Sequence, residues 1–221
     1  MPYQSLHLSS SYMGRNICLF ETLGDGCLLK EGILQIAHSE HQKEYLLWKK
    51  NLLEENGIQT LKLFEYEHTS FGGTRKYYRF RTRVYDFIKK YRQIMYNPTK
   101  NITFKSILRR LTPLGLAIWY MDDGTLHCEW SESAQRYVNL DIKICTALPK
   151  EQNQILINYF KEKWDIEFHQ LHIPGTQTDG YVRRKDLWQL RGRREASLKF
   201  LEIVKPIIST IPSMTYKIRC L

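Results

Sequence analysis

No stretch of this chain reaches the roughly 20 apolar residues that a transmembrane helix needs. The opening MPYQSLHLSSSYMGRN also lacks a basic region followed by a long apolar run, so nothing marks secretion; its Ser-rich, acid-free character with Arg15 leaves a short organellar signal open. The five cysteines, Cys18, Cys27, Cys128, Cys145 and Cys220, are odd in number and include no Cys-x-x-Cys pair. Neither a disulfide framework nor a zinc knuckle is therefore expected, and a reducing, intracellular setting is the simpler reading, with cytoplasm and organelle both open. No Ser-His-Asp or Cys-His arrangement suggests nucleophilic catalysis, and the pairs His38 with His41 and His169 with His172 lack a third ligand at metal spacing, which points to structural or surface roles. Acid is the scarcer charge: 23 Asp and Glu stand against 33 Lys and Arg, for a net charge of +10. Such a chain is drawn to polyanions, nucleic acid first and an anionic membrane surface second.

What is present is ordinary for a folded protein: 43% hydrophobic and 13% aromatic residues in 221 residues, enough for one large domain or two smaller ones. The chain reads twice. Asn16 can cap ICLFETLGDG, a helix stopped by Gly24-Asp25-Gly26. Leu28-Leu29 and Ile33 to Ala37 form a hairpin around Lys30-Glu31-Gly32. Tyr45, Leu46, Trp48, Leu52 and Leu53 recur at helical spacing from His41 to Asn56, and Gly57 closes that helix. Strands around Leu61 to Glu67 and Arg75 to Arg83 precede a helix carrying Val84, Phe87, Ile88, Tyr91, Ile94 and Met95. After NPTKNITFKSILRRL, Thr112 and Pro113 begin LGLAIWYMDDG, which again ends at an acidic Gly turn. Strands at Thr125 to Trp130 and Tyr137 to Thr146, a helix from Lys150 to Trp164, strands at Phe168 to Ile173 and Asp186 to Arg191, and a helix from Ala196 to Val204 follow, with Pro206 expected to end or kink the last.

The fold class expected is α/β of the α+β type: two pseudo-twofold-related α-β-β-α-β-β-α repeats, residues 1–100 and 101–221 with the linker, with paired central helices and two antiparallel sheets. Twofold pairing of the first helix of each repeat would make Asp25 and Asp123 neighbours. Singly, each Asp-Gly is more readily a plain turn than a catalytic site; recurrence at one place in two repeats reverses that balance.

CLFETLGDG and LAIWYMDDG resemble the two signature helices of LAGLIDADG homing endonucleases in their single-chain, two-motif form. The extended LTPLGLAIWYMDDG, Leu111 to Gly124, and the later SMTYKI, Ser213 to Ile218, look like one branch of that family. The resemblance implies sequence-specific double-strand DNA cleavage across the minor groove, leaving short 3′ overhangs, by metal-dependent phosphodiester hydrolysis, with Mg²⁺ as cofactor and Mn²⁺ as a possible substitute. It implies Asp25 and Asp123 as metal ligands, with Gly24 and Asp122 contributing through their carbonyls and Asp122 the less suitable carboxylate. Lys100 and Lys217 match the family's active-site lysines; the plain alternative is solvated surface lysine. One departure is Phe20-Glu21-Thr22, bulky or polar where the paired helices pack. Gly115 and Ala117 on the partner helix can compensate, and Glu21 must face outward or find a partner.

DNA contact is expected on the strands. In RKYYRFRTR, Tyr77, Arg79, Arg81 and Arg83 share one face and Tyr78, Phe80 and Thr82 the other, with Arg75 and Lys76 beside them. Asn139, Asp141 and Lys143 similarly alternate with Val138, Leu140, Ile142 and Ile144, and Lys185 and Arg191 add basic charge on a later strand. The partners expected are double-stranded DNA with a long target, intron RNA as an alternative, and no membrane, for a monomer that is an internal pseudo-dimer. The competing functions are an intron RNA splicing factor and a DNA-binding regulator on the same scaffold.

Overall fold

The structure is a computed structural model that describes residues 11–70, 73–96, 100–174, 177–178, 181–182 and 187–220. Helix α1 (Tyr12–Glu21) begins earlier than the sequence suggests: the cap is Ser11, whose hydroxyl accepts the Gly14 N–H at 2.9 Å and donates to the Asn56 carbonyl at 2.7 Å. Asn16, the expected cap, lies buried inside the helix. The helix also stops at Glu21, so Asp25 sits in the turn that follows and not on the helix end. That turn leads into β1 (Cys27–Leu28), which pairs antiparallel with β2 (Leu34–Ser39). A 3-10 turn at Glu40–Gln42 and helix α2 (Lys43–Glu55) follow, then β3 (Phe64–Ser70), β4 (Gly73–Arg81) and helix α3 (Asp86–Met95).

After the short helix α4 (Lys105–Leu108), the second repeat opens with α5 (Pro113–Asp123), capped by the Thr112 hydroxyl with Pro113 in the first turn as its sequence requires. It continues with β5 (Gly124–Ser131), β6 (Arg136–Leu148), α6 (Lys150–Trp164) and β7 (Phe168–Ile173). The two-residue strands β8 (Gln177–Thr178) and β9 (Tyr181–Val182) pair as a small ribbon before β10 (Leu187–Gly192), helix α7 (Arg194–Ile208) and a 3-10 segment, Pro212–Ile218. Pro206 lies inside the final turn of α7, which runs two residues beyond it.

The sheets have equivalent orders, β1-β2-β4-β3 in the first repeat and β5-β6-β10-β7 in the second, all neighbours antiparallel. Each repeat is thus one α-β-β-α-β-β-α unit, and α1 packs against α5 between them. Every residue of α5 from Gly115 to Met121 is buried, the pattern of a helix enclosed on all sides. The crossing works because of one exchange of bulk: the ring of Phe20 occupies the space a Cβ on Gly115 would need, at 2.8 Å. Phe20 is fully buried there, so the large residue in the first motif is matched by the missing side chain in the second.

One cysteine expectation is corrected. Cys128 on β5 and Cys220 beyond the last 3-10 segment form a disulfide across a sequence separation of 92 residues. The odd count hid this pair, because Cys18, Cys27 and Cys145 lie outside it.

Candidate active site at the repeat junction

The ends of the two motifs meet beside the interface. The backbone N–H of Asp25 donates to Asp122 Oδ2 at 3.0 Å, joining the first repeat's turn to the second repeat's helix end. Gly24 has no alternative there, since a Cβ on it would overlap the Asp122 side chain. Asp122 Oδ1 also accepts the Tyr45 hydroxyl at 2.9 Å, and Lys49 Nζ donates to both carboxylate oxygens at 2.7 and 2.9 Å. With its side chain so committed, Asp122 ties the first repeat's turn and helix α2 to the end of α5.

Glu21 does not face outward. It is fully buried, and one of its carboxylate oxygens lies 2.9 Å from Lys49 Nζ, itself fully buried. Burial pushes the Glu21 carboxyl up despite the attraction of Lys49. Burial opposes the charge on Lys49 too, but Asp122 and Glu21 more than offset it and raise its pKa. A signal for this existed: Lys49 falls four residues after Tyr45 and four before Leu53, on the buried stripe of α2, while Glu21 interrupts an otherwise apolar helix.

The side chain of Asp25 is 43% exposed, and its carboxylate lies 3.6 Å from Nδ1 of His38. His38 is therefore no surface group: it is buried beside the acid, and burial followed by the Lys49 charge lowers its pKa to about 4, keeping the imidazole neutral. One ligand atom each from Asp25, His38 and Asp122 lies within 4.8 Å of the others. Burial and then the neighbouring Asp122 raise the Asp25 carboxyl. Asp123, the last residue of α5, is pushed up to about 7 by burial and by the charges of Asp25 and Asp122.

The two lysines take matching places. Lys100, after α3, donates to the carbonyls of Leu23 and Gly24 at 3.3 and 3.2 Å. Lys217, after α7, donates to the Gly124 carbonyl, and its own carbonyl accepts the Tyr120 hydroxyl at 3.0 Å. Each thus rests on the motif turn of its own repeat. Burial lowers both ammonium pKa values, opposed by the surrounding aspartates. Carboxylates on which burial and neighbouring acids hold protons are a donor set that a hard divalent cation relieves, and Asp25 and Asp123 have the chemistry to fit such a cation.

The sheet faces alternate as expected. Tyr78, Phe80 and Thr82 are buried while Tyr77, Arg79 and Arg81 are half-buried on the opposite face, and Arg75 is exposed. Arg83 lies just past the end of β4. Lys76 alternates to the other face, where its Nζ lies 3.4 Å from Glu65. Phe64 and Tyr66 on β3 stack beside Tyr77, with the Arg79 guanidinium over both, an aromatic stripe that reading the basic strand alone missed. On the second sheet Leu140, Ile142 and Ile144 are buried, and a groove of about 550 Å³ is lined by His127, Asn139, Asp141, Lys143 and Arg191. Arg191 Nε bonds Asp141 Oδ2 at 3.1 Å, and Asn139 donates to Glu129 at 2.8 Å. Lys185 lies outside the described residues. No helix among those residues is long and apolar enough to cross a membrane.

Comparison with known proteins follows the same lines. The Protein RecA of Mycolicibacterium chitae is 27% identical over 211 residues, covering 91% of this chain and 45% of that protein. The Protein RecA of Mycobacterium leprae is 26% identical over 217 residues, covering 96% of this chain and 26% of that protein. The chain thus spans less than half the length of these curated relatives. Among solved structures, the homing endonuclease I-WcaI bound to its DNA recognition sequence superimposes with a TM-score of 0.74 at 21% identity, over 98% of this chain and 93% of that one, and so shares the fold. The family model for the LAGLIDADG DNA endonuclease family matches residues 22–182, a span that holds Asp25, Lys100 and Asp123, and this chain belongs to that family.

Proposed function

We propose that this protein is a site-specific double-strand DNA endonuclease of the homing type, acting as a monomer whose two units, residues 1–100 and 101–221, each address half of a long target. The observation that carries this reading is the acidic junction: Asp25 and Asp123, one from each repeat, both have carboxyls raised by burial and by the charge of Asp122, Asp25 adds to the rise of Asp123, and a lysine rests on each motif turn. Bound Mg²⁺, or Mn²⁺ in its place, would polarise the scissile phosphate, supply an activated water and assist the departing 3′ oxygen. The chain's own part is positional and electrostatic. Asp25 and Asp123 would hold the cation, with Gly24 and Asp122 able to offer carbonyl oxygens. Lys100 and Lys217 stabilise negative charge developing on phosphate or orient the attacking water. Two centres beside a pseudo-twofold axis address two strands across the minor groove and leave short 3′ overhangs.

Recognition falls to the outer sheet faces. Tyr77, Arg79, Arg81 and Arg75 on the first, and Asn139, Asp141, Lys143 and Arg191 on the second, offer the donors and acceptors that read major-groove edges. Arg83, Lys76 and Lys185 supply backbone attraction. Mobility of a host intron is the biological setting this activity fits.

Selecting cleaved sites from a randomised duplex library in Mg²⁺ tests the proposal. One recovered preferred site, cut on both strands, is expected; recovery of no preferred site overturns homing-type specificity. A second reading, binding of intron RNA as a splicing factor, is favoured by the stripe of exposed Phe64 and half-buried Tyr66 and Tyr77, because aromatic faces that reach solvent stack on unpaired bases. Intron splicing measured with and without the protein separates the two.

A further inference from the structure

The support beneath the two catalytic aspartates is unequal. Counting back five residues from the motif glycines Gly26 and Gly124 aligns Glu21 with Trp119, and counting back two aligns Gly24 with Asp122. Behind the first motif, Glu21 meets the buried ammonium of Lys49 at 2.9 Å. Behind the second, Trp119 stacks on Phe160 with ring centroids 6.3 Å apart. One side rests on an ionic cluster and the other on aromatic packing.

The ionic cluster ends on Asp25. Lys49 and Tyr45, both on α2 of the first repeat, hold the Asp122 carboxylate of the second repeat in one orientation. That carboxylate then accepts the Asp25 N–H at 3.0 Å. The chain of contacts runs from Lys49 through Asp122 to the backbone of one metal-binding acid, whereas Asp123 is fixed directly as the last residue of α5.

We infer that Lys49 is a positioning residue for Asp25, acting through Asp122, and that it makes the two cleavage centres inequivalent. The inference rests on the endonuclease reading. Loosening Asp122 lets the Asp25 turn shift, and small displacements of a catalytic group are penalised steeply in rate. One strand is then cut more slowly than the other, and nicked DNA accumulates.

The test uses a supercoiled plasmid carrying a site selected from the randomised library, with each strand's cleavage rate mapped by primer extension. Removing Lys49 alone strands both Glu21 and Asp122, so the main variant is the paired Glu21→Met/Lys49→Met, which leaves Asp122 alone without its cation, still bonded by the Tyr45 hydroxyl and the Asp25 N–H. A strand bias on the order of tenfold is expected, with binding to the same DNA in Ca²⁺ preserved. Tyr45→Phe removes the 2.9 Å hydroxyl bond to Asp122, together with a 3.4 Å bond to the Ile118 carbonyl, and should give a smaller bias toward the same strand. Leu53→Ala, a core truncation one turn along the same helix that leaves the Glu21, Lys49 and Asp122 charges in place, lowers stability and should leave the strand ratio unchanged. Equal slowing of both strands, or a bias reproduced by Leu53→Ala, overturns the inference. Should the paired variant not fold, an unchanged strand ratio in Tyr45→Phe overturns it by itself. No cutting of any duplex by the wild type overturns the endonuclease reading and this inference with it, whereas wild-type cutting with unbiased variants overturns the inference alone.

Discussion

The backbone N–H of Asp25 is held by the carboxylate of Asp122 at 3.0 Å, a bond that crosses from one repeat to the other. It explains why the residue before each final motif acid is glycine in one repeat and aspartate in the other: the Asp122 side chain lies where a Gly24 side chain would project. Gly24→Ala should therefore displace that contact and lower stability by about 1–3 kcal/mol. Urea denaturation checks this, and an unchanged midpoint would show that the turn tolerates a Cβ.

Asp25→Asn and Asp123→Asn each remove a carboxylate while keeping shape. Cleavage of the selected site should fall by roughly 100-fold or more in either variant, with binding in Ca²⁺ retained. Full cleavage by the protein carrying both substitutions would remove these residues from the chemistry.

Lys49→Met leaves Glu21 and Asp122 without their cation in the core. A loss of about 3–5 kcal/mol is expected for breaking a buried pair from one side, and the paired Glu21→Met/Lys49→Met should recover a substantial part of it. Chemical denaturation of the three proteins decides whether the two residues are energetically coupled.

The pH dependence of stability should run against the usual carboxylate trend. Asp123 binds its proton more tightly folded, at about 7, than its ordinary value of 3.8. Between those limits the folded state holds the extra proton, so this contribution is present at low pH and is lost as pH rises through about 7. Asp25 and Glu21 shift in the same direction. Melting temperatures in EDTA should fall across that window, added Mg²⁺ should reverse the fall at neutral pH, and Asp123→Asn should flatten it. A rise in melting temperature over the same window in EDTA would contradict the crowded acidic site.

Arg79→Ala and Lys143→Ala probe the two sheet faces. If each side chain meets phosphate, its loss reduces the slope of log affinity against log salt by about one and weakens all sequences alike. If it reads a base, the salt slope stays and preference relaxes at one target position. Binding titrations at several salt concentrations across a panel of duplexes separate these outcomes.

Much of the fold was legible. α6 and β7 run over the residues their periodicity marks, Lys150–Trp164 and Phe168–Ile173, because each carries its own apolar pattern and stop signal. α1 was less so. Its Ser11 cap is also bonded to the distant Asn56 carbonyl, and Gly14 sits close against the same carbonyl and Ile58, contacts that a local reading of Asn16 cannot see. His38 and Lys49 were missed for a similar reason: a polar residue on a strand or helix declares its role only when its neighbours are known.

The sequence by itself determined the two repeats, the sheet faces with their basic charge, and the recurrence of Asp25 and Asp123, since periodicity and turn chemistry are local properties of the chain. Only the tertiary structure decided that Phe20 fills the place of an absent Gly115 side chain and that Glu21 turns inward to Lys49. It also fixed Asp122 as the acid that spans the two motifs. Those outcomes depend on which surfaces meet, and on which buried charges then have no water to turn to.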